Sequence, residues 1–181
     1  MKALIYIIVF TIISFSCKPQ EYKIYKISVI SDWSYTGSRA DVDEAISKAN
    51  LFFDKYDIKF VVSSFMKSGI LTEDLTLDSA LDEFCNCNPN EYSVTLGIVG
   101  KHEGSKVGVA FLNHFGTKNS CAVVDLNSVD LEKTGYVIAH EFLHLMGLKH
   151  SKDYKNIMCH FTNYSSVTSE QENVIKQYGP K

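Results

Sequence analysis

Three histidines and a glutamate fall within one short stretch, His140-Glu141-Phe142-Leu143-His144-Leu145-Met146-Gly147-Leu148-Lys149-His150. Imidazole nitrogen is a preferred ligand of zinc, and a catalytic zinc takes three protein ligands and leaves a position for water. His140 and His144 are four apart, so on a helix they project from one face about one turn from each other. Glu141 lies beside the first of them, where its carboxylate can reach a metal-activated water and take its proton. The spacing therefore predicts a zinc site of His140, His144 and His150 with Glu141 as general base. The bland alternative is an inert helix with surface histidines and a solvated glutamate. A binding protein that merely holds zinc has no chemical use for an intact base beside the metal, so water activation is the stronger reading.

The elements that must position these residues follow from periodicity. Leu131–Gly147 reads as a helix, with Tyr136, Val137, Ile138 and Ala139 leading in and Phe142, Leu143, Leu145 and Met146 as the packing face. Gly147 ends it, because glycine accepts the left-handed conformation that turns the chain sharply and returns His150 to the site. Upstream, Tyr22–Ile30 alternates as a strand, and Ser38–Tyr56 is a helix capped by Ser38. Ile58–Phe65 is a second strand and Leu71–Phe84 a short helix or irregular crossing. Tyr92–Val99 and Cys121–Leu126 are further strands, and the glycine-flanked Val107–Leu112 is an edge strand. Thr168–Tyr178 closes the chain as a helix capped by Thr168. Strands joined by helical crossings pair in parallel. The expectation is an α/β (α+β) fold: a twisted mixed sheet of about five strands with an antiparallel edge strand, an active-site helix and a C-terminal helix.

The 181 residues suit one domain, and a formal charge of −3 offers no basic field for nucleic acid. Residues 1–16 have the anatomy of a signal peptide, with Lys2 followed by the apolar run Ala3–Phe15. That run is shorter than the roughly 20 residues a bilayer span needs. Cys17 follows the run directly and resembles the acylated cysteine of a bacterial lipoprotein, although Ser14 stands where leucine is commonest. Ser14-Phe15-Ser16 is the competing site of ordinary cleavage. The chain has five cysteines, and acylation of Cys17 leaves Cys85, Cys87, Cys121 and Cys159, an even set for two disulfides in an exported protein. Cys159 is the one expected to tie the site's floor to an earlier segment. The expectation is a monomeric domain, residues 17–181 with a short N-terminal tether, exported and membrane-anchored through Cys17, or else secreted.

The stretch from His140 to His150 resembles the metzincins, whose signature is H-E-x-x-H-x-x-G-x-x-H followed by a Met-turn. Met158, eight residues past His150, stands at the position of that turn. Within the metzincins, His150-Ser151 and Asn156-Ile157-Met158 look most like the matrixins, with archaemetzincins as the second choice. Leu143 departs from the glycine that matrixins usually carry there, and Ser151 and Asn156 stand where archaemetzincins carry cysteines. The resemblance implies one catalytic zinc and hydrolysis of extended protein or peptide substrates, bound as an added strand along Val107–Leu112. Archaemetzincin-like aminopeptidase activity is the alternative, and a non-catalytic zinc-binding surface lipoprotein is the third reading. His160, two residues past the methionine, stands where some metzincins place a tyrosine near the developing oxyanion. The pocket for the side chain after the cut bond is expected near Val137 and residues 161–165. No cysteine-switch pro-segment is expected between Cys17 and the first strand. His102 and His114 are expected to be surface histidines rather than holders of a second metal.

Overall fold

A computed structural model describes residues 20–87, 94–112, 114–117, 120–159 and 166–181 of the chain. The leader, Cys17, His160 and residues 161–165 lie outside the described residues. The element order is β1 (Lys23–Ser31), α1 (Arg39–Phe53), β2 (Ile58–Lys67), α2 (Leu77–Asn86), β3 (Val94–Val99), β4 (Gly108–Ala110), β5 (Cys121–Asp125), α3 (Leu131–Leu145) and α4 (Ser169–Lys176). A single 3-10 turn, Asp54–Tyr56, extends α1. Among the described residues no helix is long and apolar enough to cross a membrane.

The strands form one sheet in the order β2-β1-β3-β5-β4. β1 pairs in parallel with β2 and β3, and β3 with β5, while β4 alone runs antiparallel on the edge. This is the mixed sheet expected from the helical crossings, with the edge strand cut down to three residues.

Strand alternation sends side chains to two cores. Val29, Leu96, Ile98, Ala122 and Val124 face α1 and α3 in the larger one. Ile30, Val99, Cys121 and Val123 face α2 in the smaller one. Both helix starts anticipated from capping residues hold: Ser38 with Asp41, and Thr168 with Gln171, each make a reciprocal capping box that satisfies otherwise orphaned N–H groups. The acidic stretch after β2 resolves into α2, capped by Thr76.

The two long edges of the sheet are treated differently. On β2, the Asn50 side chain accepts from Phe60 N and donates to Phe60 O, each at 2.8 Å, and Arg39 reaches Val62 O at 3.3 Å. Helix α1 thus occupies the backbone groups that would template another strand. On β4, Val107 O accepts from Asp125 N and Phe111 N donates to Cys121 O. Alternate residues of an antiparallel pair face away from the partner, so Gly108 and Ala110 turn their N–H and C=O to the open edge.

The expected disulfides are absent. Among the described residues Cys85, Cys87, Cys121 and Cys159 are all free thiols. Cys85 of α2 packs against the cluster that holds the buried Cys121 of β5, whose thiol donates to Leu81 O at 3.9 Å, while Cys87 is exposed. Cys159 forms no bridge to an earlier segment, and its turn is held by backbone bonds and Asn156.

Candidate metal centre

Helix α3 carries His140, Glu141 and His144, and ends in the turn that places His150. Gly147 adopts φ +97°, Gly147 N donates to His144 O, and Leu148 N donates to Leu143 O. This pair of bonds is a Schellman motif, closed by a glycine in the left-handed region. Its next carbonyl does a second job: Leu148 O accepts from His144 Nδ1 at 2.7 Å.

The other anchor comes from the following turn. Ile157 O accepts from His140 Nδ1 at 2.7 Å. With both Nδ1 atoms occupied as donors, the Nε2 lone pairs of His140 and His144 are the ones left for a metal. His144 Nε2 and His150 Nε2 are 3.0 Å apart. One nitrogen from each of the three rings lies within 4.8 Å of the others, a group that could hold a metal ion. Tetrahedral zinc with Zn–N near 2.05 Å imposes N···N separations of about 3.3 Å, so an imidazole-only set at this spacing fits that ion. His140 and His144 are half-buried and His150 is exposed, which leaves one side of the centre open to solvent.

Glu141 points into the protein between α3 and β4. It is 5% exposed, and its Oε2 has no hydrogen-bond partner. Burial pushes its carboxyl up to about 8, with the Lys106 ammonium, ion-paired to Asp78, pulling the other way. A dication at the three imidazoles would stabilise the carboxylate and lower this value. In the metal-free protein the sign is definite. The folded state keeps a proton that the unfolded chain releases near 4.5, so stability falls as pH rises between 4.5 and 8. Denaturant midpoints of chelated wild type and Glu141→Gln at pH 5 and 8 are expected to diverge. The glutamine variant should gain on wild type by on the order of a few kcal/mol across that window. Parallel pH dependence of the two proteins would refute this.

Met158 is fully buried in the larger core. Its turn is closed by Cys159 N donating to Asn156 O (3.0 Å), and tied back to the segment after α3 by Ser151 N donating to Met158 O (2.9 Å). Asn156, which sequence reasoning assigned no structural role, is the hub of this turn. Its Oδ1 accepts from Met158 N, and its Nδ2 donates to Gln171 Oε1 of α4 at 2.7 Å. An asparagine just before a functional turn, fifteen residues from a capping glutamine, was the available signal, but nothing local marks the partner.

His102 is a correction. It is not a surface histidine: its side chain is 5% exposed, and Nδ1 lies 3.3 Å from Asp125 Oδ2 at the end of β5. His114 is half-buried and edge-on to the Phe111 ring. Neither joins the three-histidine group.

The Matrixin family profile (Peptidase_M10) matches residues 30–177. No curated protein matches the sequence. Among solved structures, metalloproteinase-II from Bacteroides fragilis is similar at TM-score 0.64 and 14% identity, covering 86% of this chain and 52% of that one. A chaperone-substrate complex aligns at TM-score 0.63 and 13% identity, over 90% of this chain and 36% of that one. Archaemetzincin from Methanopyrus kandleri aligns at TM-score 0.62 and 15% identity, over 89% of this chain and 97% of that one. The chain therefore spans about half the length of the first and about a third of the second. At these identities the likenesses are likenesses of fold.

Proposed function

Because the chain belongs to the matrixin family of zinc metallopeptidases, we propose that it is an endopeptidase acting on extended protein or peptide segments, with zinc held by His140, His144 and His150. One observation carries this reading: three converging imidazoles share α3 and its closing turn with the buried Glu141, whose carboxylate lies against Gly108 on the open edge strand. Zinc bound there would polarise the scissile carbonyl and lower the pKa of water towards ~7.

The chain's own residues supply the rest. Gly108 and Ala110 offer N–H and C=O groups to a substrate backbone, which adds as a strand and is held extended across the site. Glu141 takes a proton from the attacking water and gives it to the departing amine. Its burial excludes bulk water from the carboxylate, and the carbonyls of Ile157 and Leu148 keep the two helix-borne imidazoles in one tautomer and orientation. Met158, buried in the turn that carries Ile157, fixes that turn to the core.

The open groups of β4 occur at two positions along the strand, so substrate residues can be paired on more than one side of the cut bond. That arrangement supports internal cleavage. The deciding experiment is hydrolysis of internally quenched peptides with acetylated and free amino termini. Equal rates, within about threefold, are expected for an endopeptidase. Cleavage only when the terminus is free would make it an aminopeptidase instead.

A further inference from the structure

Gly108 is not a glycine for the sake of its backbone. The glycines at positive φ among the described residues are Gly104, Gly116 and Gly147, so position 108 has a conformation open to any residue. What it lacks is space. A Cβ at 108 would stand 2.5 Å from Glu141 Oε1 and 2.9 Å from both Cδ and Cγ of the same side chain. Three successive atoms of one side chain are met, so turning the carboxylate about its last bond would not relieve the contact. Glu141 has little room to retreat, being 95% buried between α3 and the edge strand.

We propose that Gly108 is a positioning residue for Glu141: its missing side chain sets how deep the carboxylate sits beside the three imidazoles. One residue then controls two distances. Its N–H and C=O are on the open edge that would receive the substrate backbone, and its Cα is the wall against which the general base rests. Base and substrate are therefore held relative to each other through a single position. This rests on the reading of Glu141 as the base.

The test is a cycle of four full-length proteins: wild type, Gly108→Ala, Glu141→Ala and the double variant. Tm is measured after chelation, and kcat, KM and zinc content are measured with the metal restored. Glu141→Ala removes all three atoms that the new Cβ would strike. Gly108→Ala is expected to lower Tm by about 3–8 °C in the wild-type background, and by less than about 2 °C beside Glu141→Ala. With one zinc per chain retained, Gly108→Ala should lower kcat by about 10²-fold and leave KM within about threefold, as a base displaced by about an ångström would. Failure of Gly108→Ala to fold, with recovery in the double variant, counts as the same coupling. An equal Tm loss in both backgrounds overturns the contact whatever the activity. A wild-type kcat in Gly108→Ala overturns the positioning role. A coupled cycle beside a wild type that cleaves no peptide would instead sink the endopeptidase reading.

Discussion

Replacing Glu141 by glutamine is expected to leave one zinc per chain and to lower peptide hydrolysis by about 10³–10⁴-fold, at the upper end of what a positioned general base contributes. Glutamine keeps the shape of the buried side chain and removes only its capacity to accept and return a proton. The environment makes the substitution a clean one. Oε2 has no hydrogen-bond partner to lose, and the side chain is 5% exposed, so no bulk water stands ready to substitute for the carboxylate. The measurement is kcat/KM on a quenched peptide beside metal analysis of the same samples. Loss of rate with KM unchanged would mark an interaction made in the transition state. A glutamine variant within tenfold of wild type would sink the assignment of Glu141 as base.

The second large effect concerns the metal. His144→Ala is expected to weaken zinc binding by at least about 10²-fold, more than the 10–100-fold typical of losing a group that only orients a ligand, and to bring hydrolysis to background. Stability should follow. With zinc supplied at about 10³ times its Kd, binding adds about 4 kcal/mol to the folded state, or roughly 10 °C in Tm for a chain of this size. That gap between chelated and zinc-loaded protein should close in His144→Ala. The variant loses more than a ligand, since His144 Nδ1 also donates to Leu148 O in the turn that brings His150 back. A zinc-dependent Tm increase as large in the variant as in wild type would show that the metal sits elsewhere.

The site was legible because its determinants are local. His140, Glu141 and His144 share a helix whose geometry fixes their relative directions, and a positive-φ glycine bridges that helix to His150 within three residues. The caps at Ser38 and Thr168 were legible for the same reason, each being a contact between residues three apart. The shortening of β4 to Gly108–Ala110 was less so, because strand length depends on the partner's register as much as on the strand's own side chains.

Sequence arithmetic misled where it counted residues without knowing their neighbours. Four cysteines suggested two bridges, yet Cys87 is exposed and Cys159 sits in a turn that backbone bonds already close. His102 read as a surface histidine. Its partner, Asp125, is 23 positions on, at the end of a strand that neighbours β3 only after the sheet has assembled.

By itself, the sequence determined the identity and spacing of the metal-binding group, the helix that bears it, the turn that ends that helix, and the strand-and-helix order implying a mixed sheet. These are short-range consequences of residue type, backbone preference and periodicity. Only the tertiary structure decided that Ile157 O would orient His140, that Asn156 would join the methionine turn to α4, and that α1 would close one sheet edge while β4 stayed open. It also decided that Gly108 would rest against Glu141. Each of these is a contact between segments distant in sequence, made through burial and hydrogen-bond satisfaction, and no local pattern encodes which distant atom will be there.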